Sequence, residues 1–269
     1  MTHPAIEILE HPLSPYAQKV KIALTEKGVP FEAKIPGAIG SGQVSDDFAR
    51  ANPRGEVPVL YVEGQAIFDS TIILEFIEDR FPNPPLLPAS AADRARVRMI
   101  EDLVDTHYEA ITWGLSEIAN FRRATGDQAA AMQAKAGEEL SALHAWLEGQ
   151  LGDRPWFNGE AFGWGDLCVA PFVAGAIGFG FPPTGKLSEW FSRAAARPSV
   201  ATSLNQAREM AAAMAGVAQI VEAGLFKRQY RDHRLEWMIR SGGLSVVQQG
   251  IERDNIRFNT APVGGLGAL

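Results

Sequence analysis

The chain has 269 residues, 46% hydrophobic and 21% charged, which suits two packed cores and excludes a disordered polymer. A net charge of -7 and a pI near 5.3 argue against a broad nucleic-acid face, and no run approaches the roughly eighteen apolar residues of a membrane span. The lone cysteine, Cys168, excludes an internal disulfide and a cysteine-built metal site, and the Met1-Thr2-His3-Pro4 start lacks signal-peptide design. The expectation is a cytoplasmic protein that carries no metal and contacts neither nucleic acid nor membrane.

Ile6 to Glu10 reads as a short strand, and Ser14-Pro15 opens a helix with a favoured N-cap and a proline at its first position. Tyr16, Val20, Ala23 and Leu24 recur on one helical face until Gly28 ends it. Phe31 to Ile35 is a second strand, followed by a glycine-rich loop and a helical turn from Ser45. Val57 to Val62 and Ala66 to Phe68 form a hairpin, after which Asp69-Ser70 caps a helix over Thr71 to Arg80. The order βαβ-α-ββα joins a crossover pair to a hairpin and a last helix.

The proline-rich run from Phe81 to Pro88 is the clearest boundary in the chain. Beyond it, Val97, Ile100, Val104, Tyr108, Ile111, Leu115 and Ile118 step by three and four, predicting one long helix over Arg94 to Ile118. Further helices are predicted around Leu140 to Leu151, from Gly163 to Asp166 onward, and from Leu187. The expected division is a sheet domain over 1–81, a linker over 82–88, an all-helical domain over 89–216 and a basic, aromatic extension over 217–269.

Three motifs in this order carry a resemblance: Ser14-Pro15-Tyr16 at a helix start, the stretch Asn52 to Leu60, and Asp69-Ser70-Thr71-Ile72-Ile73 at the next helix start. Over roughly residues 5 to 215 the chain resembles the cytosolic glutathione transferases. The resemblance implies an α/β plus all-α architecture: a thioredoxin-like domain with a mixed four-stranded sheet, then an all-helical domain. It also implies glutathione as substrate, a cis Val57-Pro58 bond that frees the Val57 backbone to pair with the tripeptide, a homodimer, and a role in detoxification.

Residue by residue, the resemblance assigns glutathione binding to Ser14, Val57, Pro58, Asp69 and Ser70. A helix N-terminus presents unpaired N–H groups and partial positive charge, so Ser70 suits the γ-glutamyl carboxylate and Asp69 the charged end of the same residue. Ser14 is the expected catalytic group. A thiol with pKa near 8.5 is only about 3% thiolate at neutral pH, and lowering it by about two units requires roughly 2.7 kcal/mol. A hydroxyl donating to the charged sulfur supplies about 1.5–3 kcal/mol, and a helix N-terminus adds about 0.3–1 kcal/mol.

Serine at this position, where thiol-transferring relatives carry cysteine, favours conjugation or glutathione-dependent substitution such as dehalogenation or ether cleavage. A glutathione-dependent double-bond isomerase and a non-catalytic carrier of apolar ligands remain alternatives. The second substrate, a small hydrophobic electrophile, is expected between the domains against Leu13, Tyr16, Tyr108 and Trp113. Cys168, in an apolar helix, reads as a core thiol. Asp166 matches a family folding position, with Gly163 standing where a hydroxyl residue is usual. No lysine for the glycyl carboxylate stands near Gln43-Val44, leaving Lys34 or Arg54 as substitutes. In the extension, Lys227, Arg231 and Arg234 are read onto one helical face, either solvated beside acidic neighbours or acting as a flap or anion contact over the site.

Overall fold

A computed structural model describes residues 5–37, 39–41, 45–214 and 216–258. The N-terminal sheet has four strands, β1 (Ile6–Leu9), β2 (Glu32–Lys34), β3 (Val59–Val62) and β4 (Gln65–Phe68), in the order β2-β1-β3-β4. β1 and β2 run parallel, joined by the crossover helix α1 (Pro15–Glu26), and β3 runs antiparallel to both β1 and β4. A short helix, α2 (Asp46–Ala51), precedes β3, and α3 (Ser70–Arg80) follows β4. This is the βαβ-α-ββα order that the strand and cap signals predict, in the thioredoxin-like arrangement that the resemblance implies.

Helix α1 is buried on more than its apolar stripe, because the sheet domain and the helical domain close on it from both sides. Gln18, Lys19 and Lys21 are as buried as Val20 and Leu24. Buried polar groups need partners, and each of these side chains has at least one, although Gln18 Oε1 has none. Gln18 Nε2 donates to the Pro12 carbonyl at 2.7 Å, and Lys21 Nζ meets Glu10 at 3.1 Å and Gln206 at 2.8 Å.

The helical domain begins with α4 (Ala91–Leu103) and α5 (Glu109–Ala119). The single helix predicted over 94–118 is instead interrupted by a π-helical turn, Val104–Tyr108, which shifts the periodicity of the residues after it. Then come α6 (Gly126–Leu151), α7 (Trp164–Gly178), α8 (Gly185–Ala195) and α9 (Pro198–Ala213), the last not foreseen from its pattern. α7 is buried nearly all round, with Cys168 fully enclosed. No helix of the described residues is long and apolar enough to cross a membrane.

At the start of α7 the glycine has a structural cause. A Cβ on Gly163 would lie 1.9 Å from Asn158 Nδ2 and 2.4 Å from the Leu86 carbonyl. The Asn158 amide performs the capping that a hydroxyl at 163 would perform: its Oδ1 accepts from Gly165 N at 3.1 Å. Asp166 completes the turn by accepting from Gly163 N, Phe157 N and Trp190 Nε1 at 3.0, 2.8 and 2.7 Å.

Beyond α9 the chain forms α10 (Val217–Glu222), β5 (Arg228–Tyr230), α11 (Asp232–Arg240), α12 (Leu244–Glu252) and β6 (Ile256–Phe258). β5 and β6 pair in parallel, so Lys227 and Arg234 do not share one helix face as the spacing suggested. The run from Gly264 to Gly267, read as weakly structured, lies outside the described residues.

Candidate active site

Strand register gathers the predicted site residues at one end of the sheet. Leu9, the last residue of β1, pairs with Val59, which opens β3, and Val59 pairs on its other side with Phe68, which ends β4. The loop to Ser14, the Val57–Pro58 step and the Asp69–Ser70 turn therefore leave the sheet side by side. Val57–Pro58 is cis.

Ser14 is half-buried and extended (φ -80°, ψ 111°), and its Oγ accepts from Ala17 N at 3.3 Å. That bond uses a lone pair and leaves the O–H as a donor, met by no acceptor among the described residues. Asp69 caps α3 through bonds from Thr71 N and Ile72 N, with φ +76° and ψ 124°. A left-handed φ at a non-glycine residue is costly and concentrates at ligand sites. Ser70, next to it, is buried.

The loop between α2 and β3 brings a cation to Asp69. Asn52 is buried and folds the loop, accepting from Arg54 N at 3.0 Å and donating to the Glu56 carbonyl at 2.8 Å. Gly55 takes φ +63°, which a β-carbon disfavours. Arg54 thereby reaches Asp69 at 3.2 Å. Lys34, the other substitute considered, is spent on Glu7 and Glu32 at 2.5 and 3.3 Å on an exposed edge. Gln43-Val44 lies outside the described residues.

On the helical-domain side, Tyr16 donates its hydroxyl to the Asp105 carbonyl at 2.6 Å. Burial, reinforced by Glu109 and Asp105, pushes that phenol well above its ordinary range against the pull of Arg234 and Arg231. Lys19, one turn on, is fully buried between Glu101 (2.6 Å) and Asp105 (2.5 Å). Glu101 also accepts from Thr71 Oγ1 at 2.8 Å and Trp164 Nε1 at 2.5 Å, tying α1, α3, α4 and α7 together behind the site. Burial raises the Asp105 carboxyl above its ordinary value despite Lys19, and its Oδ1 has no hydrogen-bond partner. Burial also pushes the Cys168 thiol far up, which keeps it neutral.

The four residues expected against the second substrate separate. Leu13 is exposed at the rim and Tyr16 is half-buried against Phe172, at 5.7 Å between ring centroids. Tyr108 has no exposed surface and joins its hydroxyl to His144 Nε2 at 2.8 Å, which makes it core rather than wall. Trp113 is buried under the extension, edge-on to Tyr230 at 4.7 Å with Arg228 stacked on it at 4.5 Å. The helical period fitted wall and core equally, and the extension decides for core.

A family model for the glutathione S-transferase N-terminal domain matches residues 9–85, and one for the glutathione S-transferase C-terminal domain matches residues 104–198. A probable glutathione S-transferase GSTU1 of Oryza sativa subsp. indica is 33% identical over 180 residues, covering 62% of this chain and 72% of that protein. The chain belongs to the glutathione S-transferase family. A maleylacetoacetate isomerase of Rattus norvegicus is 33% identical over 163 residues, covering 60% of this chain and 73% of that protein. Among solved structures, a rice glutathione transferase in complex with glutathione superposes with a TM-score of 0.67 at 27% identity, over 81% of this chain and 98% of that one.

In this transferase-family chain, everything from α10 onward lies beyond the matched segments. Sequence reasoning missed how it attaches. Glu109 and Glu117, eight residues apart on one face of α5, are both buried. Arg234 holds Glu109 through Nε (3.0 Å) and Nη2 (2.5 Å), joined by His233 at 3.2 Å. Glu117 is held by Arg123 at 2.9 Å, by Arg228, and by the Tyr230 hydroxyl at 3.3 Å. Two acidic residues on the buried stripe of a helix were the available signal. On the sheet side, Arg257 donates to the carbonyls of Arg54 and Gly55, each at 3.0 Å, and Gln229 donates to Glu56 at 2.6 Å. The extension thus bridges both domains beside the site.

Proposed function

We propose that the protein holds bound glutathione as its thiolate through Ser14 and delivers it to an electrophilic carbon of a small, largely apolar substrate. One observation carries this reading: the Ser14 O–H at the start of α1 is uncommitted among the described residues, while Tyr16, two residues on, has spent its hydroxyl on Asp105. The partial positive charge of the same helix start adds favourable potential for a negative sulfur.

In this reading the γ-glutamyl end lies at Asp69 and Ser70, with Arg54 orienting Asp69, and the Val57 backbone pairs with the middle of the tripeptide as an added strand would. The thiol proton leaves to solvent, a carbon–sulfur bond forms, and the leaving group departs with its bonding electrons. The exposed Ile72 on α3 and Met99 on α4 favour a homodimer through those helices. A lone, enclosed cysteine suits a reducing cytoplasm.

Titrating the ultraviolet absorbance of the thiolate in the glutathione complex tests the reading, alongside turnover of an aryl halide with and without glutathione. A bound thiol with the pKa of free glutathione, and no glutathione-dependent turnover, leaves a carrier. A second reading, the glutathione-dependent isomerase, is favoured by the rat relative's identity. It would regenerate glutathione, whereas substitution consumes it.

A further inference from the structure

The arginines with which the extension meets the body of the protein are spent on partners, with one exception. Arg228 serves Glu117 and Ser116, Arg234 serves Glu109 and the Gln229 carbonyl, Arg240 serves Glu139, and Arg257 serves two carbonyls and Gln229. Arg231 has no carboxylate, carbonyl or amide partner among the described residues, and its Nε is buried without a hydrogen bond. Its guanidinium carbon stands 5.8 Å from the centroid of Tyr16, two residues beyond Ser14 on α1.

We propose that Arg231 is a specificity-determining residue that receives an anionic group, a carboxylate or aryl oxide, carried by the electrophilic substrate. The inference rests on the glutathione-transferase reading above and narrows its substrate class. Stacking on Tyr16 accounts for the face of the guanidinium but leaves its in-plane donors unmet. An unmet buried donor such as the Arg231 Nε is costly. Arg257 Nε is unmet too, but the Arg257 Nη atoms already hold three partners, whereas those of Arg231 hold none among the described residues. No carboxylate of the described residues forms an ion pair with Arg231, although the neighbouring Asp232 feels its charge. Glu109 is taken by Arg234 and His233, Asp105 by Lys19, and Asp232 bonds His233 at 3.1 Å. A planar fork beside an aromatic ring suits an aryl carboxylate, whose ring lies on Tyr16 while its oxygens take two N–H groups.

Calorimetric titration of the full chain with S-(para-carboxybenzyl)glutathione and its neutral twin S-benzylglutathione tests this. Wild type is expected to bind the carboxylated ligand about tenfold to a hundredfold tighter. Arg231→Met should erase that ratio, and Arg231→Lys, a point charge without the fork, should keep part of it. Equal affinities in wild type, a comparison that needs no variant, would overturn the proposal. So would a parallel loss of affinity for glutathione itself in Arg231→Met, since Arg231 would then hold the tripeptide. If neither ligand binds wild type, the transferase reading falls with it, and that outcome is distinct from equal binding.

Discussion

Arg234 in α11 grips Glu109 in α5 with two nitrogens, at 3.0 and 2.5 Å, in a buried contact between residues 125 positions apart. Burial alone would raise the Glu109 carboxyl, but the Arg234 charge and the bonds from His233 and Arg234 outweigh it and bring it down to about 2. A depressed carboxylate contributes stability that is complete above its ordinary value of 4.5 and lost as pH falls toward about 2. That difference corresponds to about 3 kcal/mol.

Glu109→Gln should therefore lower the melting temperature at neutral pH, because it strands Arg234; breaking such a pair costs about 3–5 kcal/mol. The gap between variant and wild type should narrow as pH drops from about 5 toward 2, when wild-type Glu109 also becomes neutral. Tryptophan fluorescence, with Trp113 and Trp237 under or within the extension, would follow its release. A gap of constant size across that range would show that Glu109 is not the group being titrated.

The start of α7 offers a non-additive test. Restoring the family's usual hydroxyl with Gly163→Ser should destabilise this protein, because the new Cβ meets Asn158 Nδ2 at 1.9 Å. Asn158→Gly alone should cost about 1 kcal/mol or more by uncapping Gly165. Together they should cost less than the sum, since Asn158→Gly removes the side-chain half of the clash, while the Leu86 carbonyl 2.4 Å from the new Cβ keeps the double variant below wild type. Strict additivity in denaturant midpoints would mean that the two side chains do not compete.

Behind the site, Lys19→Met should cost about 3–5 kcal/mol, since it leaves Glu101 and Asp105 buried without their shared cation. Thr71, bonded to Glu101, adjoins Ser70, so glutathione affinity should weaken with it. Thermal unfolding and glutathione titration on one sample measure both effects. A fall in stability with unchanged affinity would confine the cluster to a folding role.

The sheet domain was legible because its signals are local. Ser14-Pro15, Val57-Pro58 and Asp69-Ser70 each act within a few residues of themselves, and strand register does the rest. Tyr108 and Trp113 were not, since the same three-four spacing serves a cleft wall and a core, and a π-helical turn intervenes. The extension was least legible. Its strands pair across 28 positions and its arginines answer glutamates more than a hundred residues upstream, contacts that leave no period in the chain. Gly114 shows the same limit: a Cβ there would strike the Trp237 ring at 2.0 Å, a contact with a residue 123 positions away.

Ser14→Ala decides the mechanism. Loss of the hydroxyl removes a donor to the sulfur worth about 1.5–3 kcal/mol, so the bound thiol's pKa should rise by about one to two units. Turnover at neutral pH should drop about tenfold to a hundredfold and recover partly in alkali, because hydroxide then generates the thiolate. Tripeptide affinity should change little, since Val57, Asp69 and Ser70 are assigned those contacts. Removing Oγ also uncaps Ala17 N, so a modest loss of stability, about 1 kcal/mol, is expected and must be measured separately. Ser14→Cys should lose conjugation likewise but gain a mixed disulfide with oxidised glutathione, visible by intact mass, because a thiol at a helix start is activated. Wild type should form no such adduct, its one thiol being enclosed. Full activity and an unshifted pH profile in Ser14→Ala would reduce Ser14 to a helix cap. Tyr16 is poorly placed to replace it, with its proton committed to the Asp105 carbonyl and its pKa raised by burial.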